Sequence, residues 1–200
     1  MAPVWVSRWL KPAVFAVSLL PLAWLVWHAL FGYLGVNPVE TLNRTLGDWA
    51  LRFVLIALAV TPLRKVTGWA PLARLRRMLG LFAFFYVCLH LSSYVGIDLY
   101  FDWPALLKDV VKRRYITLGM VAFVLLLPLA ATSTDRMIRR LGGRNWRRLH
   151  LLVFPIAVLG VAHYWMMVKA DIRQPALYAA VLAALLLYRL ADWWRRRATA

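Results

Sequence analysis

The chain has 200 residues, of which 63% are hydrophobic and only 16% charged, and its formal net charge is +17. A water-soluble domain is about half apolar with roughly a quarter of its residues charged, so lipid must be the solvent for most of this surface. The basic excess is not a nucleic-acid footprint, because Lys and Arg sit at the ends of apolar runs rather than along one polar face.

Six apolar runs follow in chain order, each near the roughly 20 residues that cross a hydrocarbon core of about 30 Å. The first, 12–32, is preceded by Arg8 and Lys11 in the manner of a signal peptide. It has the length of a span and lacks a small-x-small cleavage site, which predicts that it is retained. It carries His28 near its far end, in WLVWHAL. The second, 46–63, contains Arg52 less than two turns in, where a guanidinium can snorkel to the near interface.

The third, 79–97, holds Cys88 and His90. As the single cysteine of the chain, Cys88 excludes a disulfide framework and a cysteine metal cluster. The loop DLYFDWPALLKDVVKRR (98–114) has an apolar pattern in Ala105, Leu106, Val110 and Val111. That pattern predicts a short amphipathic helix lying on the outer surface as a docking face. The fourth run is 115–132, the fifth, 149–168, holds His150 and His163, and the sixth is 175–193. Neither an internal repeat nor a low-complexity linker interrupts them, so the fold class is an all-α membrane protein, one six-helix bundle domain over 1–200.

With six spans both termini share a side, and that side carries 17 of the 25 Lys and Arg residues. The bias puts both termini in the cytoplasm. Trp5, Trp9, Trp49, Trp69, Trp103, Trp146, Trp193 and Trp194 cluster near span ends, where an amphipathic ring is stable at headgroup level.

An ionisable group inside a span is costly and is a functional candidate for that reason. Imidazole is an axial ligand of haem iron, and two helices contributing one histidine each can clamp the macrocycle from opposite faces. At 1.5 Å per residue His90 lies about 17 Å into its span and His163 about 21 Å into a span of the same direction, a matched pair on the outer half. His150 lies at the cytoplasmic mouth, about 20 Å below His163, which suits a second redox centre. On one ideal helix these two point about 140° apart, unless Pro155 and Gly160 kink or unwind it. His28 has no depth-matched partner and reads as structural. Arg76, Arg77, Arg147 and Arg148 stand at the cytoplasmic mouth, where guanidinium groups bind haem propionates or a flavin phosphate, or simply set orientation.

The stretches RRMLGLFAFFYVCLHLSSY (76–94), RRYITLGM (113–120), TSTDRMIRRLGGRNWRRLH (132–150) and VAHYWMMVK (161–169) resemble the MsrQ (YedZ) family. These are the haem-binding membrane subunits of bacterial periplasmic methionine sulfoxide reductase systems, within the ferric-reductase-like transmembrane superfamily. The resemblance runs from span two to span six. It implies haem between helices three and five, with His90, His150 and His163 as the haem-associated histidines. Two-haem relatives carry a further histidine in span three where this chain has Arg76, so His150 lacks the usual partner for a second haem. The resemblance also implies FMN, although no flavin motif is visible.

The implied function is electron transfer at the inner membrane. Electrons would pass from the quinone pool or a cytoplasmic flavin reductase to a periplasmic molybdopterin-containing methionine sulfoxide reductase, which carries the repair chemistry. A cytochrome b anchor of a quinone-linked dehydrogenase is the competing redox reading, and a small transporter or cofactor-free scaffold the non-redox one. The paired broken helices of a transporter are not apparent in the sequence.

Overall fold

A computed structural model describes the backbone of residues 4–198 and the side chains of 9–198, so Trp5 and Arg8 lie outside the described side chains. Its described residues form helices α1 (Val4–Leu30), α2 (Pro38–Thr67), α3 (Arg76–Ser93), α4 (Trp103–Lys112), α5 (Arg114–Ala131), α6 (Asp135–Leu141), α7 (Gly143–Leu149), α8 (Val153–Met167) and α9 (Arg173–Ala198). Six helical stretches are long and apolar enough to cross a bilayer, matching the six runs read from hydropathy. Flank chemistry moves some boundaries. The Asn37 side chain accepts from the Glu40 amide and Pro38 follows it, so α2 begins well before its apolar part.

The helix α2 is the centre of the bundle, with half of its most apolar window buried, against 11% for α1 and 6% for α9. Its buried Phe53 stacks on Phe82 and Tyr86 of α3, with ring centres 5.5 and 5.2 Å apart, and Leu58 and Val60 share one buried cluster with Leu79 and Ala83. A second packed pair, α5 with α8, forms a smaller buried cluster of Leu126, Leu129 and Ile156, against which Phe84 and Val87 of α3 pack. Phe15, Leu20, Val124 and Leu187 point outward as lipid-facing surface. Trp9, Trp103, Trp193 and Trp194 are exposed near helix ends. By contrast Trp146 is tied inward, its indole N–H donating to the Thr132 carbonyl at 2.9 Å.

The join of α1 to α3 is a side chain inserted into a helix ladder. Leu22 N–H donates to the Tyr86 hydroxyl at 3.1 Å, and that hydroxyl donates to the Ser18 carbonyl at 2.9 Å. The phenol thus bridges a bond the helix would otherwise close directly, beside Pro21, which already removes one donor. Tyr86 is fully buried.

Three details differ from the sequence reading. Arg52 does not merely snorkel; its Nε donates to the Tyr178 hydroxyl at 2.7 Å and its guanidinium lies 4.7 Å from the Trp49 ring centre. The amphipathic helix in the loop exists as α4, capped by Asp102, but Val111 is 83% exposed, and Leu106 and Val110 make the half-buried face. The break between His150 and His163 lies not at Pro155 or Gly160 but in a 3₁₀ turn, His150–Leu152, between α7 and α8. Pro155 falls in the first turn of α8, where a missing amide costs nothing.

Replacing Tyr86 with Phe leaves the Leu22 amide and the Ser18 carbonyl without their bridge. The expected loss is about 1–3 kcal/mol of stability, read as a lower thermal midpoint in detergent. An unchanged midpoint would mean that α1 recloses the bond by itself.

Candidate functional site

The four histidines fall into two classes by what holds them. His28 is bonded within its own helix, Nδ1–H to the Trp24 carbonyl at 2.9 Å, with the ring 3.9 Å from the Trp24 ring centre. His150 repeats the arrangement with Trp146, at 3.0 Å to its carbonyl and 3.9 Å between ring centres. In both the tryptophan is four residues earlier, so the helical turn stacks the rings without help from another element. The remaining nitrogen of His150 lies 3.5 Å from the Ser133 hydroxyl.

His90 and His163 are held across the bundle instead. His90 Nδ1–H donates to the Asn43 carbonyl on α2 at 3.0 Å. His163 Nδ1–H donates to the Tyr115 carbonyl on α5 at 2.6 Å. A carbonyl only accepts, so Nδ1 carries the proton and the Nε2 lone pair is left for a metal. The two rings face one another with centres 6.3 Å apart and planes at 78°. The pairing expected from depth is therefore present in space.

Both rings line a cavity of about 460 Å³ between α2, α3, α5 and α8. Its floor is apolar, with Leu51, Val54, Val87, Phe123, Leu126 and Ile156, and its mouth is polar, with Glu40, Arg44, Asp98 and Arg113. That mouth opens on the face opposite the chain ends, where α2 begins and α3 finishes. Tyr115 and Asp109 beside Arg113 hold its guanidinium above the usual arginine value, so the mouth keeps this positive charge.

A metal ion bound by imidazoles on opposite sides, each about 2.0–2.1 Å away, separates the ring centres by a little over 6 Å. The observed separation meets that requirement. Among the described residues no three His, Cys, Asp or Glu side chains gather as a metal site. Two imidazoles alone would leave an ion short of donors, so further ones must come from a ligand that fills the cavity. Its volume lies within the roughly 300–1,000 Å³ range of cofactor pockets. A planar tetradentate macrocycle such as haem fits this donor set.

The four arginines expected at a cofactor do not reach this cavity. Arg76 begins α3, fourteen residues and about 21 Å of rise before His90. Arg77 bonds Asp135, whose carboxyl it holds below the usual range. Arg147 and Arg148 are exposed on α7. These four can serve only a ligand at the end that bears the chain termini. What sequence reasoning missed lies on the partner helices, in the carbonyls of Asn43 and Tyr115 and in Gly47 and Gly119. A β-carbon at Gly47 would sit 3.1 Å from the His90 ring, and one at Gly119 would sit 2.9 Å from His163 Nδ1.

Two histidines facing one cavity inside a bundle of six apolar helices make this a multi-pass membrane protein with a donor pair in its interior, and the comparisons with known proteins give its family. Residues 46–161 match the model of the ferric reductase like transmembrane component. The chain is 56% identical over 185 residues to the protein-methionine-sulfoxide reductase heme-binding subunit MsrQ of Rhodospirillum rubrum, covering 92% of this chain and 89% of that one. It is 52% identical over 187 residues to the subunit of the same name from Caulobacter vibrioides, at 94% and 88% coverage. No solved structure matches the chain. The chain belongs to the MsrQ family of ferric-reductase-like transmembrane components.

His90 is locked by a closed circuit. The Asn43 amide donates to the Ser93 hydroxyl at 3.1 Å, and that hydroxyl donates to the His90 carbonyl at 2.8 Å. Ser93→Ala would leave the Asn43 side-chain amide unpaired while sparing the bond that the His90 imidazole donates to the Asn43 backbone carbonyl. A loss of about 1–2 kcal/mol is expected, measured by thermal unfolding against the wild type.

Proposed function

We propose that this chain carries electrons across the bacterial inner membrane through b-type haem held between His90 and His163. The observation that carries the reading is the 6.3 Å separation of two imidazoles whose Nδ1 atoms are bonded away to carbonyls of other helices. Haem bound there supplies reversible one-electron chemistry at a potential set by its ligands and surroundings. The chain's own residues do the rest. The carbonyls of Asn43 and Tyr115 fix the tautomer and raise the basicity of each imidazole. The apolar floor keeps water from the centre, and the mouth connects it to one membrane face.

The excess of Lys and Arg on the face shared by the chain ends supports a cytoplasmic assignment for that face. The mouth then opens to the periplasm. Acceptance there by a methionine sulfoxide reductase is supported by the names of the relatives, which are haem-binding subunits of methionine sulfoxide reductases, and the family resemblance implies that this partner contains molybdopterin. The donor would be the quinone pool or a cytoplasmic flavin reductase, with the sulfoxide chemistry on the partner. A second site at the cytoplasmic end, haem or FMN near His150 with Arg76, Arg77, Arg147 and Arg148, rests on resemblance. There His150 bonds the Trp146 carbonyl through Nδ1 and holds Nε2 3.5 Å from the Ser133 hydroxyl, and among the described residues no second histidine faces it across a cavity.

His90→Ala and His163→Ala should each abolish the reduced haem absorption of the purified protein, whereas His28→Ala should leave it intact. A pyridine haemochrome assay with flavin extraction on the wild type and His150→Ala counts haem and FMN per chain. One haem per chain, unchanged by His150→Ala, is the result expected from the geometry. A normal spectrum in His90→Ala or His163→Ala would sink the ligand assignment.

A further inference from the structure

The two histidines that face the cavity are received by the same local device on two different helices. On α2 the His90 Nδ1 bonds the carbonyl of residue 43 and its ring rests over the glycine four residues on, Gly47. On α5 the His163 Nδ1 bonds the carbonyl of residue 115 and its ring rests over the glycine four residues on, Gly119. In an α-helix the carbonyl of residue i already accepts from the amide of residue i+4. A second donor can reach that oxygen only by lying flat against the turn, and a side chain at i+4 stands in the way. Glycine removes the obstruction, and the distances to a substituted side chain measure how fully. A β-carbon would lie 2.9 Å from the His163 ring and 3.1 Å from that of His90, against a backbone-anchored imidazole that has nowhere to move without losing its hydrogen bond.

Other glycines in the bundle are different. A β-carbon at Gly80, on α3 with His90, would meet nothing within 4 Å, and one at Gly160 on α8 would meet only the terminal Leu51 methyl, at 3.3 Å.

We propose that Gly47 and Gly119 are positioning residues that hold the His90 and His163 imidazole planes near perpendicular and so set the electronic state of the iron between them. The inference rests on the reading of these histidines as axial ligands. The angle between axial imidazole planes decides how the iron d orbitals split, and perpendicular planes give a strongly anisotropic low-spin ferric signal where parallel planes give a rhombic one. The Nδ1 hydrogen bonds add to this, because a more basic imidazole favours the ferric state.

The test is electron paramagnetic resonance and potentiometric titration of the purified, haem-loaded protein as wild type, Gly47→Ala, Gly119→Ala and Gly80→Ala. The wild type should show the strongly anisotropic signal. Gly119→Ala should lose part of that anisotropy and titrate at a higher potential, as its hydrogen bond to Tyr115 is strained. Gly47→Ala should change in the same direction by less, and the Gly80 variant should match the wild type. Haem loss from a still-folded Gly119→Ala protein, with the milder Gly47→Ala shifted, also supports the proposal. Signals and potentials unchanged in both cradle variants would overturn it. So would unfolding of both beside a normal Gly80→Ala, which would assign the two glycines to helix packing. Retention of the haem spectrum in His90→Ala or His163→Ala defeats the ligand reading itself and is distinguishable from either result.

Discussion

Inside a bilayer no water is available to a donor or acceptor, so every polar atom carried into a span must be satisfied by the protein itself. Each imidazole in this chain answers that demand through a backbone carbonyl, and the choice of carbonyl decides what the ring can do. A histidine that bonds a carbonyl four residues back, beside a tryptophan ring, places its Nδ1 without help from another helix. A histidine that reaches a carbonyl on another helix ties two elements together and turns its second nitrogen toward whatever lies between them. His90 and His163 are of the second kind, and both rings line the cavity between α2, α3, α5 and α8.

The same demand explains the tyrosine in the α1 ladder. Tyr86 is a polar side chain buried completely between helices, and it satisfies its hydroxyl by entering a helix where a proline has already loosened the hydrogen bonding. Asn43, Ser93 and His90 close a similar circuit at the mouth of the cavity. In each case a side chain supplies the missing partner, and the result is a rigid joint between helices.

Some of this is legible in the chain alone. Depth along a span follows from the rise per residue, and depth by itself pairs His90 with His163. The Trp-x-x-x-His spacing of Trp24 with His28 and Trp146 with His150 is also visible, although its meaning for His150 emerges only from the stacked rings. The arginines are harder. A cluster such as Arg76, Arg77, Arg147 and Arg148 announces an end of the bundle but not which ligand, if any, it faces. Gly47 and Gly119 carry no signal, because a glycine in an apolar helix has many uses and its neighbour across the bundle is unknown.

By itself the sequence determined that lipid is the solvent, that six spans cross it, and at what depth each histidine lies. These quantities run along one dimension, composition and rise, and survive errors of a few residues at the ends. Only the tertiary structure decided which carbonyl receives each imidazole, that the chain turns at His150 rather than at Pro155, and that two glycines make room for two rings. Those outcomes depend on how each helix is rotated about its axis and which neighbour it meets, and hydropathy does not encode either.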